Sequence, residues 1–221
     1  MKNIAKQIVC LSIVIGCAVV QAGSYDDFFR AIKGDDAGAV SQLLQRGFDP
    51  NTRDPHGQTG LLTALREPSP KVIKVLLESP KTDVDAVDEK DESPLMLAAL
   101  KGLKVEVNAL LKRDAAVNKT GWAPLHYAAT SGQLDIMRLL LENHAFIDAQ
   151  SPNGTTPLMM AAMYGSTAAV KLLLDEGADP LMKNEKGLSA ADFAQRANQN
   201  EAVALIAGAM RGKQGTNDGK W

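Results

Sequence analysis

Cysteine is almost missing from this chain. Two are present in 221 residues, Cys10 and Cys17, and both fall before position 23. Beyond them there is no thiol, which excludes a disulfide framework, a cysteine zinc site and a cysteine nucleophile. Aromatic residues make up 5% of the sequence, so the interior has to be filled with aliphatic side chains and alanine. Charge of one sign is also scarce. A formal net charge of −2 argues against a nucleic-acid patch and against a polybasic membrane patch. One long apolar run exists, Ile8 to Val20, and it falls short of the ~20 residues that span a bilayer as a helix. The three histidines, His56, His126 and His144, lie far apart and no pair has metal-ligand spacing. The acidic stretch 83–92 lacks the glycine an EF-hand loop requires. Gly154 and Gly187 are not followed by Gly-Lys-Ser/Thr, so neither opens a phosphate loop. No nucleophile–base pair is visible. The expectation is a protein without cofactor, metal or catalytic residues.

What is there is repetition. Gly121-Trp122-Ala123-Pro124-Leu125-His126-Tyr127-Ala128-Ala129-Thr130-Ser131-Gly132 recurs further along as Gly154-Thr155-Thr156-Pro157-Leu158-Met159-Met160-Ala161-Ala162-Met163-Tyr164-Gly165. An earlier copy is Asp91-Glu92-Ser93-Pro94-Leu95-Met96-Leu97-Ala98-Ala99-Leu100-Lys101-Gly102. Degenerate copies begin at Gly57 and Gly187. A period of roughly 33 residues means stacked units, each burying its apolar side against the next. Within a copy, Ser93 and Thr156 suit a helix N-cap, and Pro94, Pro124 and Pro157 suit the first helical turn. Gly102, Gly132 and Gly165 suit a helix end. A second helix follows, with Ile136, Leu139 and Leu140 or Val170, Leu172 and Leu173 at helical spacing. It closes at Gly177 or, in other copies, at His144 or Asp114.

These motifs resemble the ankyrin repeat family, whose Thr-Pro-Leu-His-x-Ala-Ala pattern is matched best at 123–129 and 156–162. The resemblance implies an all-α solenoid of about six helix-turn-helix units with short β-hairpin fingers. One copy alone keeps the family histidine, His126, and there Ala123 replaces the threonine it would bond. His126 is therefore expected to bond a neighbouring backbone carbonyl. The copies that start at Asp91 and Gly121 stand closer together than the rest, which fits a shortened finger between them.

The chain divides into residues 1–22, a repeat domain at 23–210, and a tail at 211–221 expected to be disordered. The repeat units are about 24–53, 54–87, 88–118, 119–150, 151–183 and 184–210. Residues 1–22 read as an export signal: Lys2 and Lys6, an apolar core, then small or aliphatic residues before a cut after Ala22. A competing reading takes Val14-Ile15-Gly16-Cys17 as a lipobox, with Cys17 lipidated; otherwise no membrane contact is expected.

In the family, ligands meet the concave side made by fingertips and first helices. Position by position, the resemblance assigns partner contacts to Trp122, Leu100, Lys101, Met163, Tyr164, Thr130, Glu92, Thr155, His56 and Lys90. Trp122 with Leu100, Met163 and Tyr164 is expected to form an apolar cluster that anchors a partner. The opposing reading has Trp122 fold inward to fill the gap left by the short finger. The functional expectation is a monomeric, non-catalytic protein-binding module in a bacterial periplasm. It would support or inhibit an exported enzyme or toxin. The alternatives are a secreted effector acting on host proteins and a lipid-anchored periplasmic scaffold.

Overall fold

A proline, a capping hydroxyl or both start the first helix of each copy where the spacing predicts. The computed structural model describes residues 23–67 and 69–217, with side chains through 213. The segment expected to be an export signal, with its expected cleavage point and Cys17, therefore lies outside the described residues. Pro94, Pro124 and Pro157 each open a helix, and so does Pro70. At these positions the missing N–H would have had no helical partner anyway. Ser93 Oγ accepts from Met96 N–H and Thr156 Oγ1 from Met159 N–H, as capping requires.

The described residues form twelve helices in six pairs, divided between two compact units. The first unit ends at Asp91. It holds α1 (23–33), α2 (Ala37–Gln45), α3 (Gly60–Arg66) and α4 (Pro70–Glu78). Its terminal pair buries Phe28, Phe29, Ile32, Val40 and Leu43, while Asp26, Asp27, Arg30 and Lys33 remain exposed. Phe28 stands edge-on to Phe29 and is 4.7 Å from Phe48, centroid to centroid. A Cβ on Gly60 would lie 2.6 Å from Phe28 and 3.2 Å from Ile32. That crowding explains why this copy carries glycine where three others carry proline.

The second unit begins at Glu92. Its first helices are α5 (Pro94–Lys101), α7 (Pro124–Thr130), α9 (Pro157–Tyr164) and α11 (Ala190–Arg196). Its second helices are α6 (Lys104–Leu111), α8 (Leu134–Glu142), α10 (Thr167–Asp175) and α12 (Asn200–Asn217). Each first helix packs on the next first helix and on its own partner. The alanine pairs at 98–99, 128–129 and 161–162 are fully buried, which lets the backbones approach closely. Leu125 is 1% exposed and Leu158 0%, the burial that stacking demands.

Two expectations are corrected. The fingers are turns, not β-hairpins: among the described residues only the isolated bridges Arg53–Thr59 and Lys183–Ser189 pair as strands. The fingers are too short for more, and their polar groups are met instead by Asx-type turns such as Asp54 Oδ1 with His56 N–H. The boundary at 210 also moves. Helix α12 runs on to Asn217, and Lys213 Nζ holds Asp179 Oδ1 at 3.0 Å. Residues 218–221 lie outside the described part. Gly165 closes α9 as expected, but at φ −82° and outside the left-handed region of Gly102 and Gly132 (φ 72° and 65°). It is glycine for space: a Cβ there would fall 2.4 Å from the Ala129 carbonyl oxygen.

The left-handed turns without glycine are filled by Asp91, Asp114 and His144, together with Asp35 and Asn198, all at φ of 50–65°. Asn and Asp tolerate this region best among residues with a side chain, and histidine is enriched there as well.

Candidate functional site

The site is built on a bond that recurs in every repeat of the second unit. The residue three positions after each N-cap reaches back to the cap's own N–H. Met96 Sδ accepts from Ser93 N–H (3.3 Å), and Met159 Sδ from Thr156 N–H (3.4 Å). His126 Nδ1 accepts from Ala123 N–H (3.1 Å), and Asp192 Oδ2 from Ser189 N–H (2.7 Å). Sulfur is a weak acceptor, but here it spares a buried N–H from having none.

His126 adds a second link. Because Nδ1 accepts, the proton sits on Nε2, and that N–H donates to the Thr155 carbonyl at 3.0 Å. The expected backbone partner is thus Thr155, one repeat further on. The ring is fully buried, and burial lowers its pKa from 6.5. The bond to Thr155 pulls in the opposite direction.

Above this ring lies a small apolar pocket. It is lined by Leu100, Trp122, His126, Tyr127, Thr130 and Met160, with a volume of about 210 Å³. Trp122 meets His126 edge-on, with ring centroids 5.2 Å apart. Trp122 is half-buried, so it both packs against the core and offers a surface. Thr130 Oγ1 donates to the His126 carbonyl (2.7 Å). The Tyr127 hydroxyl donates to Glu92 Oε1 (3.0 Å), fixing a carboxylate beside the pocket.

The structure therefore brings Leu100, Trp122 and Thr130 together, with Glu92 held next to them. Lys101 is exposed at the end of α5. Met163 and Tyr164 do not line the pocket; they end α9, and Met160, earlier on the same helix, takes their place. Tyr164 is 60% exposed and projects separately. Thr155 is a correction. At 3% exposure it is interior, its carbonyl taken by His126 and its N–H donated to Ser151 Oγ and Asn153 Oδ1. It shares the repeat position of Trp122, which is only half-buried.

Tyr127 and Met160 are contributors missed at the sequence level. They occupy the same position in consecutive copies, so the repeat itself carries the signal.

His56 and Lys90 belong to a different place, a polar cleft of about 280 Å³ in the first unit. Gln58, Arg66, Asp88 and Glu89 complete it. Arg66 pairs there with Asp88, whose side chain is 4% exposed and whose Oδ1 also accepts from Lys90 N–H (2.9 Å). Among the described residues, no three His, Cys, Asp or Glu side chains cluster as metal ligands. Nor is any described helix long and apolar enough to cross a membrane.

The family model for ankyrin repeats (3 copies) matches residues 28–104, 70–151 and 146–217. The chain belongs to the ankyrin repeat family. Its fold is the ankyrin-repeat solenoid, and the general role of such repeats is protein–protein interaction. Among curated relatives it is similar to the human transient receptor potential cation channel subfamily A member 1, 31% identical over 166 residues. That match covers 69% of this chain and 15% of the channel. Across the first such relatives, the matched stretch makes up 15–34% of their own length. Among solved structures it is similar to an ankyrin repeat domain from Acinetobacter baumannii (TM-score 0.71, 25% identity, covering 82% of this chain and 96% of that one). It is equally similar to a chain in the complex of the predatory endopeptidase Bd0816 with immunity protein Bd3460, from Bdellovibrio bacteriovorus (TM-score 0.71, 26% identity, 82% and 96%).

Proposed function

We propose that this ankyrin repeat protein is a non-catalytic, monomeric binding module exported to a bacterial periplasm. There it holds a partner protein at the pocket around Trp122. The observation that carries this reading is the pocket itself: a half-buried tryptophan and five neighbours leave an apolar opening on the helical surface. Tryptophan in such a setting is among the residue types that most often dominate binding energy. Export is supported by the charged start, apolar core and small-residue end of residues 1–22. The likeness to a chain in an endopeptidase–immunity protein complex supports an exported hydrolase, restrained in the cell that makes it, as the client.

The test is crosslinked capture from a periplasmic extract, run in parallel with the wild type and Trp122→Ala. A discrete partner retained by the wild type and lost by the variant, with both folded by circular dichroism, is the expected result. An empty wild-type capture, or protein found in the cytoplasmic fraction with the segment 1–22 still attached, overturns the proposal.

A further inference from the structure

We infer that the joint between the units 119–150 and 151–183 is an acid-sensitive switch: a second proton on His126 opens it, and the pocket around Trp122 is lost with it. This goes beyond the binding role proposed above and stands without it. Geometry carries the case. Both ring nitrogens are committed, Nδ1 as acceptor from Ala123 N–H and Nε2–H as donor to the Thr155 carbonyl. Only the neutral ring can do both. A protonated imidazole has two donors and no acceptor, so its Nδ1–H would face the Ala123 N–H. The ring is 0% exposed, so no water replaces the lost bond while the joint is closed. The second proton therefore requires the ring to leave. Leaving unties Thr155 from α7 and removes the ring that stands edge-on to Trp122. That ring is also part of the pocket lining, so the pocket goes with it.

The equivalent bonds in the other repeats of the second unit do not share this sensitivity. Ser93 N–H and Thr156 N–H are met by Met96 Sδ and Met159 Sδ. A thioether takes up no proton as the solution is acidified. Ser189 N–H is met by Asp192 Oδ2, and bonds from Ser189 hold that carboxyl below its ordinary value of 3.8. Between about pH 6.5 and the carboxylate range, His126 is the one acceptor of the four that changes.

No neighbouring charge offsets the proton. From the α5 side come Glu92, bonded to the Tyr127 hydroxyl, and the exposed Lys101. Helix α9 carries no charged residue, and those of α8, Asp135, Arg138 and Glu142, are exposed. The flanking fingers bring Lys119, His144 and Asp148, the last bonded to Asp179 N–H. None of these is among the influences on the ring, which are burial and the backbone of Thr155, Ala123 and Ala149. Once out, the ring titrates near its ordinary 6.5; closed, it titrates lower. Each pH unit below about 6.5 thus makes opening about tenfold easier, until the closed ring's own pKa is reached.

The test is amide hydrogen exchange of the full chain from pH 7.5 downward, corrected for the intrinsic rate at each pH. Protection of the Ala123 amide should fall about tenfold per pH unit below about 6.5, with the Ser93 and Ser189 amides unchanged. The chain has two tryptophans, so Trp122 is followed by fluorescence in a Trp221→Phe background. Its emission should change over the same range, before far-ultraviolet circular dichroism reports any loss of helix. In His126→Gln, which keeps a donor and an acceptor without the titration, both signals should stay flat. An equal fall at all three amides means the whole chain loosens and overturns the inference. So does constant protection at Ala123, a Trp122 signal that moves only with the helix signal, or an acid response that survives His126→Gln. The exchange series needs no variant, so a His126→Gln chain that fails to fold leaves the inference open to refutation.

Discussion

His126 donates its Nε2 proton to the carbonyl of Thr155, 3.0 Å away and one repeat further along the chain. The same ring accepts from Ala123 N–H. A single side chain thereby satisfies two buried backbone groups in two successive repeats. Replacing it with alanine leaves both unmet and opens a cavity. A loss of about 3–5 kcal/mol is expected in a denaturant melt. His126→Gln, which keeps a donor and an acceptor, should recover part of it.

The same ring makes stability depend on acid. Its pKa is lowered from 6.5, chiefly by burial, so the folded chain holds that proton less tightly than the unfolded one. Between the two pKa values the unfolded state binds more protons, and stability falls with falling pH. The contribution is complete above about 6.5 and is lost as pH drops toward the folded value. Thermal melts of wild type and His126→Gln across this window should converge as the solution is acidified. Parallel curves would remove His126 as the cause.

Gly165→Ala should destabilise by about 1–3 kcal/mol, because its Cβ would meet the Ala129 carbonyl oxygen at 2.4 Å and backbone would have to move. Gly208→Ala is the opposite case. Nothing lies within 4 Å of its Cβ, and it sits in the exposed part of α12. A gain of about 0.5–1 kcal/mol is expected from helix propensity. Differential scanning calorimetry of the two variants gives shifts of opposite sign.

Arg66→Met should cost about 3 kcal/mol, since it removes the guanidinium that pairs with the nearly buried carboxylate of Asp88. The double change Arg66→Met with Asp88→Asn should recover part of the loss. A double-mutant cycle in urea measures the difference.

Asn118 Nδ2 donates to the His144 carbonyl and its Oδ1 accepts from Phe146 N–H, both at 2.8 Å. The Phe146 side chain is meanwhile 67% exposed. Asn118→Ala should cost about 1–2 kcal/mol. The Phe146 amide should exchange with deuterium markedly faster in the variant, with the α7 amides unchanged.

Much of this architecture can be read from residue spacing. Pro94, Pro124 and Pro157 mark helix starts, and Asp114 and His144 stand at left-handed ends in place of glycine. These features are local, and a local rule reads them. What escapes reading depends on distance in the chain. The role of Gly165 is set by the Ala129 carbonyl oxygen, and that of Gly60 by the Phe28 ring, each in the preceding repeat. Thr155 resembles a contact residue because Trp122 occupies the equivalent place, yet Thr155 is buried where Trp122 is half-buried. The β-hairpin fingers belong to the family picture, and here turn chemistry serves instead of a ladder. Trp122 poses a choice between anchor and filler, and it is half-buried with its ring edge-on to His126.

One arrangement explains how copies of unequal length coexist. Asn51 bridges to Lys81 O and Asp83 N–H, and Asp148 Oδ1 accepts from Asp179 N–H, much as Asn118 reaches His144 and Phe146. The residues so joined stand 32, 31 and 28 positions apart for the amide each one receives. A fastening that tolerates such drift does not count residues. Insertions or deletions between the rungs can therefore accumulate over generations while the helices stay in step, and the tips remain free to acquire new sequences.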